Sequence, residues 1–263
     1  MKLWNLKNDP GEMPFLDHLE ELRKRLLISI VAILIGTIIG FVIVVKFSVL
    51  VWLMQPIKPY LDPADPRLIG LSPADGFMTT IGLAITVGFL LAFPIIASQV
   101  WAFVSPALHK REKRAIVPAL YLGLVLFMAG AALAYFLALP MTFKFFSSFQ
   151  TDAMKITPTV GPYFSIVVKI LLAFGFIFEM PVVVIVLSSL GLITSKFLRE
   201  KRRFAIGGSA VAAALLTPGD ALSVTVFMMG PMILLYEISI GLARLIERRK
   251  EKALLQEPLA EAS

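Results

Sequence analysis

Long apolar runs alternate along this chain with short charged or proline-rich connections. The runs fall at about 26–45, 77–104, 116–138, 163–189, 204–216 and 221–242. All but the fifth reach the roughly twenty residues that a helix needs to cross a hydrocarbon core of about 30 Å. The pattern predicts an all-α polytopic membrane protein with six transmembrane helices. The fifth run spans only about 20 Å at 1.5 Å per residue, short enough to be re-entrant. The second would extend about 42 Å, so it must tilt or kink. Pro94 supplies the kink and leaves the carbonyl of Leu90 without its helical partner. Gly36 and Gly40, in the first run, have the GxxxG spacing that permits close helix approach.

Ahead of the first run, Pro14 opens a candidate helix over Phe15–Leu26, with Phe15, Leu19, Leu22 and Leu26 on one stripe. Asp17, Glu20, Glu21, Arg23, Lys24 and Arg25 occupy its other faces. The segment reads as an amphipathic helix on the membrane surface that leads into span one. Glu20 with Lys24 and Glu21 with Arg25 form i,i+4 pairs, worth about a few tenths of a kcal/mol each. Lys46–Asp75 carries five prolines and reads as a structured cap with short helical pieces; Pro140–Pro162 reads as a second external connection. Residues 1–250 are expected to form one membrane domain, and 251–263 a disordered, charged cytoplasmic tail.

Composition removes the soluble alternatives: 58% of residues are hydrophobic and only 16% charged, with a mean hydropathy of +0.84. The net charge of +7 does not point to nucleic acid, because the cations gather at the ends of the spans. With the N-terminus inside, nineteen Lys and Arg lie on the inner side and five outside, which predicts that both termini are cytoplasmic. There is no cysteine, and His18 and His109 are far apart, so no metal site or cofactor is expected. No HExxH, nucleophile elbow or P-loop is present, and no enzymatic reaction is expected. Any transport would draw on the membrane gradient or on a partner.

The informative residues are polar groups out of place. Between spans two and three, WAFVSPALHKREKR (101–114) holds four cations, a Ser105-Pro106 turn and a single acid, Glu112. Glu179 stands well inside span four, where a charge costs about 3 kcal/mol or more, so it must face a cavity, a partner or water. Lys169 lies nearer the external end and can snorkel there, a structural role. Glu237 lies near the inner end of span six, within reach of headgroup water. Asp220 either caps the start of span six or acts at the external surface. An ion-coupled secondary transporter using Glu179 and Lys169 is the alternative function, although no internal repeat supports it. A helix-binding scaffold is a second rival.

FLDHLEELRKRL (15–26), VWAFVSPALHKREKR (100–114), FGFIFEMPV (174–182) and LTPGDALS (216–223) resemble, in order, the characteristic segments of the TatC family. This is the polytopic core of the twin-arginine translocase. The resemblance implies a concave, glove-like bundle in the inner membrane of a prokaryote. It also implies a receptor for Arg-Arg signal peptides that exports folded proteins, driven by the membrane gradient. Implied partners are the single-span subunits TatB and TatA, further copies of the chain and membrane lipid. Signal recognition is implied for Glu21, Arg23, Phe103 and Glu112. Glu179 is implied on the concave face, and Pro56 and Asp220 in the external loops. Val224 stands where some members of the family have glutamine.

Overall fold

The computed structural model describes residues 15–104, 116–148, 157–216 and 222–260. These form an all-α molecule whose ten helices we number α1 (Phe15–Lys46), α2 (Val49–Leu53), α3 (Asp75–Val104), α4 (Ile116–Leu133), α5 (Leu139–Ser147), α6 (Val160–Phe178), α7 (Met180–Ser189), α8 (Ser195–Glu200), α9 (Arg202–Leu216) and α10 (Leu222–Ala260). Among the described residues, five stretches are long and apolar enough to cross a membrane: His18–Lys46, Asp75–Phe103, Tyr121–Ser147, Val160–Ser189 and Thr225–Glu251. The sixth, α9, has 15 residues, so the short fifth run is a short helix.

Four boundaries differ from the sequence expectation. The amphipathic segment is not a separate surface helix, since α1 runs unbroken from Phe15 to Lys46. No Gly or Pro interrupts Phe15–Ile35, so nothing in the sequence ends the helix at the membrane surface. Span three does not stop at Ala138. It passes through one π turn, Ala134–Ala138, into α5, and Pro140 sits in the first turn of that helix. The wide turn absorbs a proline that a regular helix interior would not accept. Span four is two helices, broken at Glu179 ahead of Pro181. Finally, α10 continues to Ala260, so the tail expected to be disordered from 251 is helical to that point. Glu, Lys, Ala, Leu and Gln dominate 250–256 and favour helix without any burial.

At one end of the bundle, residues 47–74 and α5 form a cap. Two buried tyrosines tie it to the spans: Tyr135 Oη donates to the Trp52 carbonyl at 2.7 Å and Tyr163 Oη to that of Leu53 at 2.6 Å. Trp52 stacks on Tyr135, with ring centroids 4.2 Å apart. Ile69 and Thr159 add a short parallel bridge. The expected proline-rich cap therefore forms, and Pro56 is buried within it.

Glycines set the helix spacing. A Cβ on Gly36 would lie 2.4 Å from the Gly88 carbonyl oxygen, and one on Gly40 2.5 Å from that of Ala84. The GxxxG pair is thus the seam along which α1 crosses α3. Gly130 and Gly175 do the same between α4 and α6: added Cβ atoms would fall 2.6 Å from the Phe174 carbonyl and from the Phe127 ring. The main core lies between these helices and under the cap, around Phe127, Leu139, Val167, Ile170 and Phe174.

Candidate functional site

The end of the bundle opposite the cap gathers the first group of expected site residues. The α1–α3 seam brings the first turns of α1 alongside the last turn of α3. His18 stacks on Phe103, with centroids 4.4 Å apart and planes 21° from parallel. Two turns along, Arg25 Nη1 donates to Gln99 Oε1 at 3.1 Å, and Arg25 Nη2 donates to Glu21 Oε1 at 3.1 Å. The expected Glu21–Arg25 pair forms, whereas no Glu20–Lys24 pair does among the described residues. The difference is burial. Glu21 and Arg25 are half-buried against α3, while Glu20 and Lys24 face outward and gain little from pairing.

Glu21 Oε2 and Arg25 Nε are both buried and without a hydrogen-bond partner among the described residues. A buried polar atom left unsatisfied costs about 1–3 kcal/mol, so such atoms mark either strain or a missing ligand. An unfilled carboxylate oxygen beside an aromatic pair suits a guanidinium, which forks onto carboxylates and stacks on rings. Arg23 is exposed on the outward face of α1. Glu112 lies outside the described residues; its segment follows directly from Val104, the last residue of α3.

Glu179 forms a second feature, within the bundle. It sits at the junction of α6 and α7, where its N–H bonds to the Phe176 carbonyl at 3.1 Å and its own carbonyl accepts from Val183 at 3.0 Å. A Cβ on Gly123 of α4 would lie 2.8 Å from Glu179 Oε2, so the missing side chain there makes room for the carboxyl. Oε1 is buried and unpartnered among the described residues. Lys169, ten residues earlier, makes no ion pair with it. Asp220 lies outside the described residues, as does the Val224 side chain.

Sequence reasoning missed three participants. Gln99, with Ser98 before it, is a polar pair near the end of a largely apolar helix, a legible signal. Arg25 was read only as a helix-surface partner, and His18 only as an unsupported metal ligand. Among the described residues no cluster of metal-ligating side chains occurs. Midway along the last helix, Glu237 accepts from Arg202 at 2.6 Å. Farther along, Glu247 accepts from the N–H and hydroxyl of Ser195 at 2.6 and 2.5 Å. The extended α10 thereby holds the α7–α9 connection.

The family model for the Sec-independent protein translocase protein TatC matches residues 17–231. The chain belongs to the TatC family. It is 42% identical over 245 residues to the TatC of Aquifex aeolicus, covering 91% of this chain and 98% of that one. With the Escherichia coli K12 protein it shares 36% over 233 residues, 88% of each. A crystal structure described as the twin arginine translocase receptor TatC superposes with a TM-score of 0.73 at 41% identity, over 88% of this chain and 99% of that one. Membership makes the protein a core component of the Sec-independent, twin-arginine translocase, multi-pass in the inner membrane. The family's activity is transport, not an enzymatic reaction.

Proposed function

We propose that the protein is the receptor for twin-arginine signal peptides and that Glu21, with Glu112, receives the arginine pair. The observation that carries this reading is Glu21 Oε2, buried and without a partner among the described residues, beside an arginine fixed by Gln99. One oxygen of Glu21 is committed to Arg25; the other accepts from the first guanidinium of the peptide. Glu112 takes the second, and the His18–Phe103 pair supplies a ring face against which a guanidinium or an apolar side chain packs. Anionic lipid screens the cations of the loop, so recognition depends on local geometry and not on net charge. Both termini and this site are cytoplasmic, the cap with Pro56 is external, and Asp220 acts in the last external loop. Single-span TatA and TatB subunits and further copies of the chain are the partners, Glu179 meets a partner's polar group on a concave face, and the membrane gradient drives export.

The direct test compares Glu21→Gln with Glu20→Gln in binding of a labelled Arg-Arg peptide to the purified, full-length protein. A charge-assisted contact of about 1.5–3 kcal/mol corresponds to roughly ten- to a hundredfold in affinity. Glu21→Gln is expected to lose that much and Glu20→Gln almost none. Equal losses from both would reduce Glu21 to one more surface charge.

A further inference from the structure

We propose that the groove between α3 and α6, at the cap end of the molecule, is a phospholipid site that takes the lipid phosphate on Lys169. The groove is a cavity of about 370 Å³, and Thr79, Gly82, Gly161, Phe164, Ser165 and Lys169 are among its lining residues. Both helices belong to stretches long and apolar enough to cross a membrane, and the groove lies near their cap ends, where lipid headgroups meet the acyl chains.

Three polar side chains line this one groove and donate no hydrogen bond or ion pair to any described residue: Thr79, Ser165 and Lys169. Of the three, Thr79 is buried, while Ser165 and Lys169 are exposed along the groove. Thr80, Thr86, Thr142 and Ser239 each donate back to the carbonyl four residues earlier, the ordinary way a helix satisfies a hydroxyl away from water. Thr79 and Ser165 do not, and beside them Lys169 adds a cation, three N–H donors and no acceptor. An anion with several acceptor oxygens suits these donors and the Lys169 charge.

Its depth fits a lipid phosphate. Lys169 stands nine residues into α6, about 14 Å along the axis, and a lysine stem lifts its ammonium about a turn toward the cap, to the level of Ser165. The glycines make the room. Unlike Gly36, Gly88 or Gly175, which sit against neighbouring atoms, Gly82 and Gly161 would carry a Cβ with nothing within 4 Å. Spacing between helices does not require glycine at either position. Exposed Phe77 and Met78, on α3 nearby, continue the groove as an apolar surface suited to an acyl chain.

The test is native mass spectrometry of the full-length protein in detergent, titrated with phosphatidylglycerol or with diacylglycerol, which lacks the phosphate. The wild type should retain one phosphatidylglycerol about tenfold more tightly than diacylglycerol, the scale of one charge-assisted contact. Lys169→Gln should abolish that preference, Lys169→Arg should keep it, and Gly82→Leu, which fills open space, should block retention of both lipids. Unchanged phosphatidylglycerol retention in Lys169→Gln and Gly82→Leu would overturn the proposal, as would equal binding of diacylglycerol. So would capture of a protein helix, in place of lipid, by a photocrosslinker at Met78 in the native membrane.

Discussion

At Glu21 one carboxylate oxygen holds Arg25 while the other is buried with no hydrogen-bond partner among the described residues. Glu179 presents the same arrangement inside the bundle, with Oε2 against Gly123 and Oε1 unpartnered. Glu179 stands out in the sequence as a carboxylate in an apolar span, whereas Glu21, one of three acids in its segment, is singled out there only by the family resemblance. The sequence did not name the neutral partners, Gln99 and Gly123, whose roles follow from which helices meet. Gly123 gives the sharper prediction at this scale. Gly123→Val would push into the Glu179 carboxyl and displace it, whereas Glu179→Gln keeps its shape. Crosslinking to partner subunits is expected to survive Glu179→Gln and to fall in both Gly123→Val and Glu179→Leu, with membrane insertion intact in all three. Undiminished crosslinking in Gly123→Val would show that the carboxyl position does not matter.

Single contacts also control how whole elements sit. The α1–α3 seam leaves no space for side chains at Gly36, Gly40 or Gly88. Overpacking such a contact costs about 1–3 kcal/mol. Gly88→Leu should therefore lower the unfolding temperature in detergent and, by parting α1 from α3, separate His18 from Phe103 and Arg25 from Gln99. Gly207→Leu, at a position with open space around it, is the control and should unfold like the wild type. The seam was half legible: GxxxG spacing marked the residues of α1, but only the fold supplies Ala84 and Gly88 opposite them. The cap offers a second element-scale prediction. Removing the Tyr163 hydroxyl leaves the Leu53 carbonyl buried without its donor, a cost of about 1–3 kcal/mol. Tyr163→Phe should speed hydrogen exchange across α2 without affecting α10. Helix ends were the least legible feature. The π turn before Pro140 and the long α10 depend on local backbone adjustment and on helix propensity, neither of which hydropathy reports.

For the molecule as a whole, the pattern of apolar runs sufficed for the all-α, multi-span architecture, and four short segments sufficed for the family. Orientation rests on the asymmetry of Lys and Arg alone. It is checked by single cysteines at Ala64, in the cap, and at Ala253, in the last helix: the first should react with an impermeant reagent applied from outside and the second should not. That orientation puts the Glu21 site on the side where signal peptides are made. The central claim, that two carboxylates read two arginines, is tested most directly by peptide discrimination. Affinities for an Arg-Arg and a matched Lys-Lys peptide would be measured for the wild type, Glu21→Gln and Glu112→Gln. Arginine's planar guanidinium presents several fixed donors and stacks on ring faces, which a lysine ammonium does not copy. The wild type should prefer Arg-Arg by about tenfold or more, and each substitution should shrink that preference, chiefly by weakening Arg-Arg binding. A wild-type protein that binds both peptides alike, or a preference untouched by both substitutions, would contradict it.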